Sequence, residues 1–184
     1  MSIQNKPMAF IDVETTGLEA GYHEIIEICI RTDKTTYHEK VKPSFLSRIS
    51  PKAMEINGYN QKGWINAVEP KEAAKNIAYI LQGHIICGHN PHFDLDFIQD
   101  LCWRHKVDLS IDRRTIDTQT LAYVHLVPMG LHSLSLDNIR RFLGWEVRTQ
   151  HNAWDDVFDT QRLYFALSHP WERFKIWLRT RFKK

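Results

Sequence analysis

Five residues of this 184-residue sequence stand where their types and spacing could do chemistry. Asp12 and Glu14 bracket Val13 directly after a short apolar run. Side chains at i and i+2 of an extended segment share a face, so both carboxylates could reach one divalent ion. A solvated acidic turn has the same D-x-E pattern, but Thr15-Thr16-Gly17 follows here and sets hydroxyls and a close-approach backbone beside the acids. Asp94 lies in Asn90-Pro91-His92-Phe93-Asp94, where a helical pattern opens. If the strand before that helix lies beside the first one, Asp94 emerges near Asp12, at the carboxyl ends of strands where ligands of α/β proteins bind. An acid in a first helical turn also simply complements the helix dipole. His151, Ala153 and Asp156 form H-x-A-x-x-D at the start of a later helical pattern, and Ala153 and Asp156 share one of its faces. His151 taken alone reads equally as a cap or surface histidine. Asp96 and Asp155 are turned roughly 200° and 100° away from Asp94 and Asp156 and are expected to point elsewhere.

These residues need elements to position them. Apolar runs bounded by turn residues predict strands at 8–11, 24–30, 35–42, 84–89 and 115–118, the first delivering Asp12 and Glu14 to a loop. Proline followed by helix formers predicts helices at 51–57, 70–81 and from Pro91 onward. Helical patterns follow at 119–127, 133–143, 152–167 and 171–181. Three strands and then strands alternating with helices predict one α/β layered domain, with helices on both faces of the sheet. The only soft boundary is Ser168–Pro170, which divides a domain over 1–168 from a C-terminal amphipathic segment over 169–184.

Composition narrows the class. A hydrophobic share of 43% with 25% charged residues is that of an ordinary soluble globular chain and excludes disorder and low complexity. No apolar run approaches the roughly 18 residues of a membrane span, and the N-terminus has no apolar core of a secretory signal. The three cysteines, Cys29, Cys87 and Cys102, lack metal-site spacing and fit a reducing, cytoplasmic setting. Lys and Arg total 24 against 22 Asp and Glu, a net charge of +2. The distribution is uneven: Arg173, Lys175, Arg179, Arg181, Lys183 and Lys184 follow Trp171 against the single Glu172, so the rest of the chain is mildly acidic. The stripe of Trp171, Phe174, Trp177 or Leu178 is expected to dock on the body, with the outer bases left to attract phosphates. Trp154 and Phe158 are expected to pack in the core beneath their helix, stacking on nucleic-acid bases being the alternative.

The three acidic motifs in order, DVETTG, NPHFDLDF and HNAWDDVFDT, resemble those of the DEDDh exonucleases, the family related to the proofreading subunit of bacterial DNA polymerase III. Ile56-Asn57-Gly58, Asp117-Thr118 and LHSLSLDNIRRFLG add to the resemblance, which spans about residues 8–167. It implies a ribonuclease-H-like fold, a five-stranded mixed sheet with the second strand antiparallel. It also implies metal-dependent removal of nucleotides from 3′ ends, releasing nucleoside 5′-monophosphates. Asp12, Glu14, Asp94 and Asp156 would be both catalytic and metal-binding, holding two Mg²⁺ ions, with Mn²⁺ a possible substitute. Asp12 would bridge both ions, Glu14 and Asp156 would hold the nucleophile-side ion, Asp94 would act partly through water, and His151 would be the general base. Thr15, Thr16, Gly17 and Leu18 would line the terminal-nucleotide pocket together with Asn90 and Phe93, and an apolar wedge would come from Met54, Ile56 or Tyr59. The implied partner is a nucleic acid with a 3′ end, single-stranded DNA first and RNA or short oligoribonucleotides second. A DNA polymerase partner is also implied, an inactive binding module is the alternative class, and no membrane is involved.

Overall fold

The computed structural model describes residues 6–112 and 114–181. Five strands form one sheet in the order β3-β2-β1-β4-β5: β1 (Met8–Thr15), β2 (Ile25–Arg31), β3 (Thr36–Lys40), β4 (Ile85–Gly88) and β5 (Thr115–Asp117). β2 runs antiparallel to β1 and β3, whereas β1, β4 and β5 run parallel. This is the mixed sheet that the resemblance implies. Seven helices surround it: α1 (Pro51–Asn57), α2 (Pro70–Leu81), α3 (Pro91–Arg104), α4 (Thr118–Leu126), α5 (Leu136–Leu143), α6 (Ala153–Ser168) and α7 (Pro170–Arg181). None of the described helices is long and apolar enough to cross a membrane.

The period-2 alternation of β1 divides the core. Ala9, Ile11 and Val13 join Ile28 and Ile30 of β2 and pack against Ala73, Ala74 and Ile77 of α2 and Leu95, Phe97 and Ile98 of α3. Phe10 points the other way, with Cys29 and Cys87, onto Ala153 and Val157 of α6. All three cysteines are buried and free, Cys29 and Cys87 within apolar runs of the sequence and Cys102 on α3. Further along α6, Leu163 and Leu167 meet Ala122 and Leu126 of α4 and Ile139 of α5.

Two local devices matter to the site. β1 extends through Thr15, so Asp12 and Glu14 lie within the strand and not in the loop expected after it. Their row, apolar at Phe10, turns acidic toward the strand's C-terminal end, where a register shift between Glu14 and Thr15 re-aims the chain. At the β4–α3 turn, a Cβ on Gly88 would come within 2.9 Å of Pro91 Cβ, so only glycine lets the helix start this close to the strand. Asn90 completes the turn in the left-handed conformation at φ 68°, its N–H donating to Asp117 Oδ1 at 3.0 Å.

α7 departs from expectation. It packs on α6 and reaches the α4–α6 cluster through Ile176, but none of its residues is buried. Trp171, Phe174 and Trp177 are exposed, with successive ring centroids 5.6 and 5.9 Å apart. The helix docks by a narrower face than the apolar stripe suggested. Lys183 and Lys184 lie outside the described residues.

Candidate active site

β1 presents Asp12 and Glu14 on the face covered by α6, at half-buried positions. Asp94 arrives from the first turn of α3 and is buried. The parallel ladder of β1 with β4 covers only Met8–Phe10, which leaves the Val13 N–H beyond its end. Asp94 Oδ1 accepts that N–H at 2.9 Å, so the carboxylate is fixed by the strand that carries the other two acids.

α6 supplies the remaining members. Asn152 caps it by accepting from the Asp155 N–H at 2.8 Å, which sets buried Asp156 in the first turn. His151 precedes the cap, and its N–H donates to the Ile56 carbonyl at 3.2 Å, tying its loop to α1. Its Nδ1 lies 3.2 Å from Asp156 Oδ2 and its Nε2 3.5 Å from Asp137 Oδ2. One ligand atom each from Glu14, His151 and Asp156 falls within 4.8 Å of the others. The expected turning away of the neighbouring acids holds: Asp96 is exposed, and Asp155 pairs with Arg148 at 3.1 Å.

The charges fit a cation. Burial first, and then the proximity of Asp94 and Asp156, raises the Asp12 carboxyl well above its ordinary range. Burial and Asp156 push Glu14 up to about 8, and burial likewise raises Asp94 despite its hydrogen bonds. Asp156 behaves oppositely. Burial alone would raise it, but the bond with His151 and the charge of Arg140 hold it below its ordinary value. The bond with Asp156 in turn raises His151 against the effect of burial. Clustered carboxylates that protonate for want of counter-charge are a donor set suited to a hard divalent ion.

Sequence reasoning missed the residues behind this cluster. Arg140 of α5 is fully buried, and its guanidinium donates to Asp159 Oδ2 at 2.8 Å, to Asp137 Oδ1 at 2.8 Å and to Asp156 Oδ1. Arg148 adds a 2.7 Å bond to Asp159 Oδ2. In the sequence, Arg140 is one of two basic residues in a last helical turn, where a solvated dipole partner is the ordinary reading.

A cavity of about 560 Å³ opens beside the acids. Glu14, Thr15, Gly17, Leu18, Ile56 and Phe93 line it, the last packed on Phe97 at 5.0 Å between centroids. Leu18 stands at 86% exposure, and Ile56 is also exposed. Two expected members do not line it. Thr16 is buried, its hydroxyl accepting from the Glu24 N–H at 2.9 Å, and so shapes the loop from within. Asn90 is consumed by the left-handed turn before α3. Tyr59 packs with Ile26 and Trp64, which leaves Met54 and Ile56 as the exposed apolar side chains of α1. Lys52 and Asn57 also line the cavity, and buried Asn57 donates to the Thr15 carbonyl at 3.0 Å. Trp154 and Phe158 are not core residues: Trp154 is 40% exposed, beside His38, and Arg31 lies 3.9 Å over the Phe158 ring.

Comparison with known proteins places the chain in a family. A family model described as an exonuclease, RNase_T, matches residues 9–164. The chain belongs to this exonuclease family. The exonuclease domain is 33% identical over 169 residues to the DNA polymerase III PolC-type of Thermotoga petrophila, covering 89% of this chain and 12% of that one. It is 28% identical over 160 residues to the DNA polymerase III subunit epsilon of Treponema pallidum, covering 85% and 74%. Escherichia coli exonuclease I, solved with a dT13 oligonucleotide, shares the fold with a TM-score of 0.77 at 18% identity, over 95% of this chain and 43% of that one. The domain thus has the ribonuclease-H-like architecture, and it spans about an eighth of the PolC-type relative and under half of exonuclease I.

Proposed function

We propose that this domain is a divalent-metal-dependent 3′→5′ exonuclease that removes nucleoside 5′-monophosphates from the 3′ ends of DNA. The observation that carries the reading is the convergence of Asp12, Glu14, Asp94 and Asp156 with His151 beside a cavity of about 560 Å³. Asp12, Glu14, Asp94 and Asp156 would hold two Mg²⁺ ions, which in such sites lower the pKa of water and stabilise the leaving oxygen. The four carboxylates formally balance two dications, so no excess protein charge repels the phosphate. His151 takes a proton from water in its neutral form, and its contacts with Asp156 and Asp137 make it a stronger base than free imidazole. Gly17 and Leu18 bring backbone to the mouth of the cavity, and Ile56 and Phe93 give the base apolar surface. Bonds to the Glu24 N–H and the Thr15 carbonyl hold Thr16 and Asn57 in the loop and helix that frame the cavity.

DNA is preferred over RNA because the relatives are DNA polymerase III proteins and exonuclease I was solved with dT13. The same relatives support a DNA polymerase partner for the domain. The test incubates 5′-labelled DNA and RNA oligonucleotides of matched sequence with Mg²⁺, Mn²⁺ or EDTA. A ladder shortened from the 3′ end with metal alone, faster on DNA, is expected. Faster loss of the RNA would move the substrate to RNA, and no degradation with any divalent ion would leave a binding module.

A further inference from the structure

The most completely buried charged side chain outside the acidic set is Arg140, at 1% exposure. Its cost of desolvation is large, and such a group persists only with full hydrogen bonding. It has that from three directions: Nε to Asp159, Nη1 to Asp137 and Nη2 to Asp156. Two of these carboxylates, Asp156 and Asp159, project from α6 one turn apart, and Asp137 projects from the first turn of α5 itself. The guanidinium therefore fixes α5 against the very turn of α6 that carries Asp156.

The division of the Asp156 oxygens gives this its chemical meaning. Oδ1 receives Arg140, and Oδ2 faces His151 at 3.2 Å. A carboxylate with both oxygens free can rotate or bind an ion through both; one held at Oδ1 offers Oδ2 in a single direction. Asp137 serves both ends of the arrangement, with Oδ1 on Arg140 and Oδ2 toward His151 Nε2. We propose that Arg140 is a positioning residue of the active site: by holding Asp156 Oδ1 and Asp137 Oδ1 it dedicates the Oδ2 atoms to the metal and to His151. This rests on the metal-dependent reading above. Three separate nitrogens of the planar guanidinium each meet one carboxylate, whereas the three N–H groups of a lysine radiate from a single nitrogen and do not span that spread.

The test compares wild type, Arg140→Lys and Asp159→Asn. Mn²⁺ binding is measured by the electron paramagnetic resonance of free ion without nucleic acid, and kcat and KM are measured on a 5′-labelled oligonucleotide. Arg140→Lys keeps the charge and loses the fork, and is expected to weaken Mn²⁺ binding and lower kcat by about tenfold or more, the usual effect of losing a residue that orients a ligand. KM should stay within about twofold, because Arg140 touches no substrate. Asp159→Asn retains an acceptor for Nε and should lower the melting temperature while leaving Mn²⁺ affinity and kcat close to wild type. If Arg140→Lys does not fold, Arg140→Met with Asp159→Leu removes the Arg140–Asp159 pair while freeing Asp156 Oδ1 and Asp137 Oδ1, and should show the same loss of kcat at constant KM. Wild-type Mn²⁺ affinity and kcat in Arg140→Lys, or losses matched by Asp159→Asn in step with stability, would overturn the proposal. Failure of wild type to bind Mn²⁺ would instead overturn the metal-dependent reading.

Discussion

Asp12, Glu14 and Asp94 share an environment in which none of them ionises easily, and this has a measurable consequence for stability. A carboxyl whose pKa is raised by folding contributes most below its ordinary value, and that contribution is lost as pH climbs through the raised value. For Glu14 the window runs from 4.5 to about 8. His151, raised above 6.5 by Asp156, acts in the same direction, since its folded form prefers the proton. Asp156 is lowered and acts oppositely, but its contribution is lost only as pH falls below about its ordinary 3.8. The melting temperature in EDTA is therefore expected to decline between pH 4.5 and about 8, and saturating Mg²⁺ to raise it most at the alkaline end. A flat profile in EDTA would show that folding does not raise these carboxyls. His151→Ala should reduce kcat by about 10²–10⁴-fold at unchanged metal occupancy. In the parent enzyme kcat should rise with pH through a midpoint above 6.5, the ordinary histidine value that Asp156 shifts upward. Rates within a few-fold of the parent would remove His151 as the base.

The turns that aim these residues are as specific as the residues. Gly88 and Pro91 bring α3 so close to β4 that Asp94 can reach past the end of the ladder to Val13. Gly88→Ala forces a Cβ against Pro91 and should cost about 1–3 kcal/mol in a urea titration, the usual range for overpacking. It should also lower kcat, because Asp94 moves with the helix. An unaltered urea midpoint would mean that the turn relaxes freely. α7 illustrates the limit of pattern reading at this scale. Its aromatic stripe and its docking residue Ile176 are both apolar, and nothing in a 3.6-residue period says which the neighbouring helices will cover. Trp154 and Phe158 are a second instance, four residues apart on α6 but lying outward over β2 and β3.

Across the molecule, charge is sorted along α6. The acids gather at its first turn, whereas beyond its last turn α7 carries Arg173, Lys175, Arg179 and Arg181. A near-neutral total of +2 thus conceals an acidic pocket and a basic flank. Truncation after Ser168 removes the flank and uncovers the apolar cluster beneath Ile176. It should lower the melting temperature by a few degrees and flatten the salt dependence of single-stranded DNA binding, by about 0.7 in log–log slope for each phosphate that α7 neutralises. An unchanged slope in a folded truncated protein would assign α7 to structure alone.

Spacing and residue type determined much by themselves. Prolines at helix starts, apolar runs bounded by turns and the three ordered acidic motifs located the five strands and seven α-helices of the described residues and named the five residues that the fold brings together, because these signals act within a few residues of chain. Only the tertiary structure decided what lies between distant segments: that Asp12 and Glu14 lie inside β1, that Thr16 and Asn90 turn away from the cavity, and that Trp154 and Phe158 of α6 and the α7 aromatics stay outside the core. It also decided that Arg140 is interior. A buried guanidinium and a solvated one look alike in a short amphipathic helix. The difference arises from Asp156 and Asp159, 16 and 19 residues further along the chain, and from a packing arrangement that no local pattern encodes.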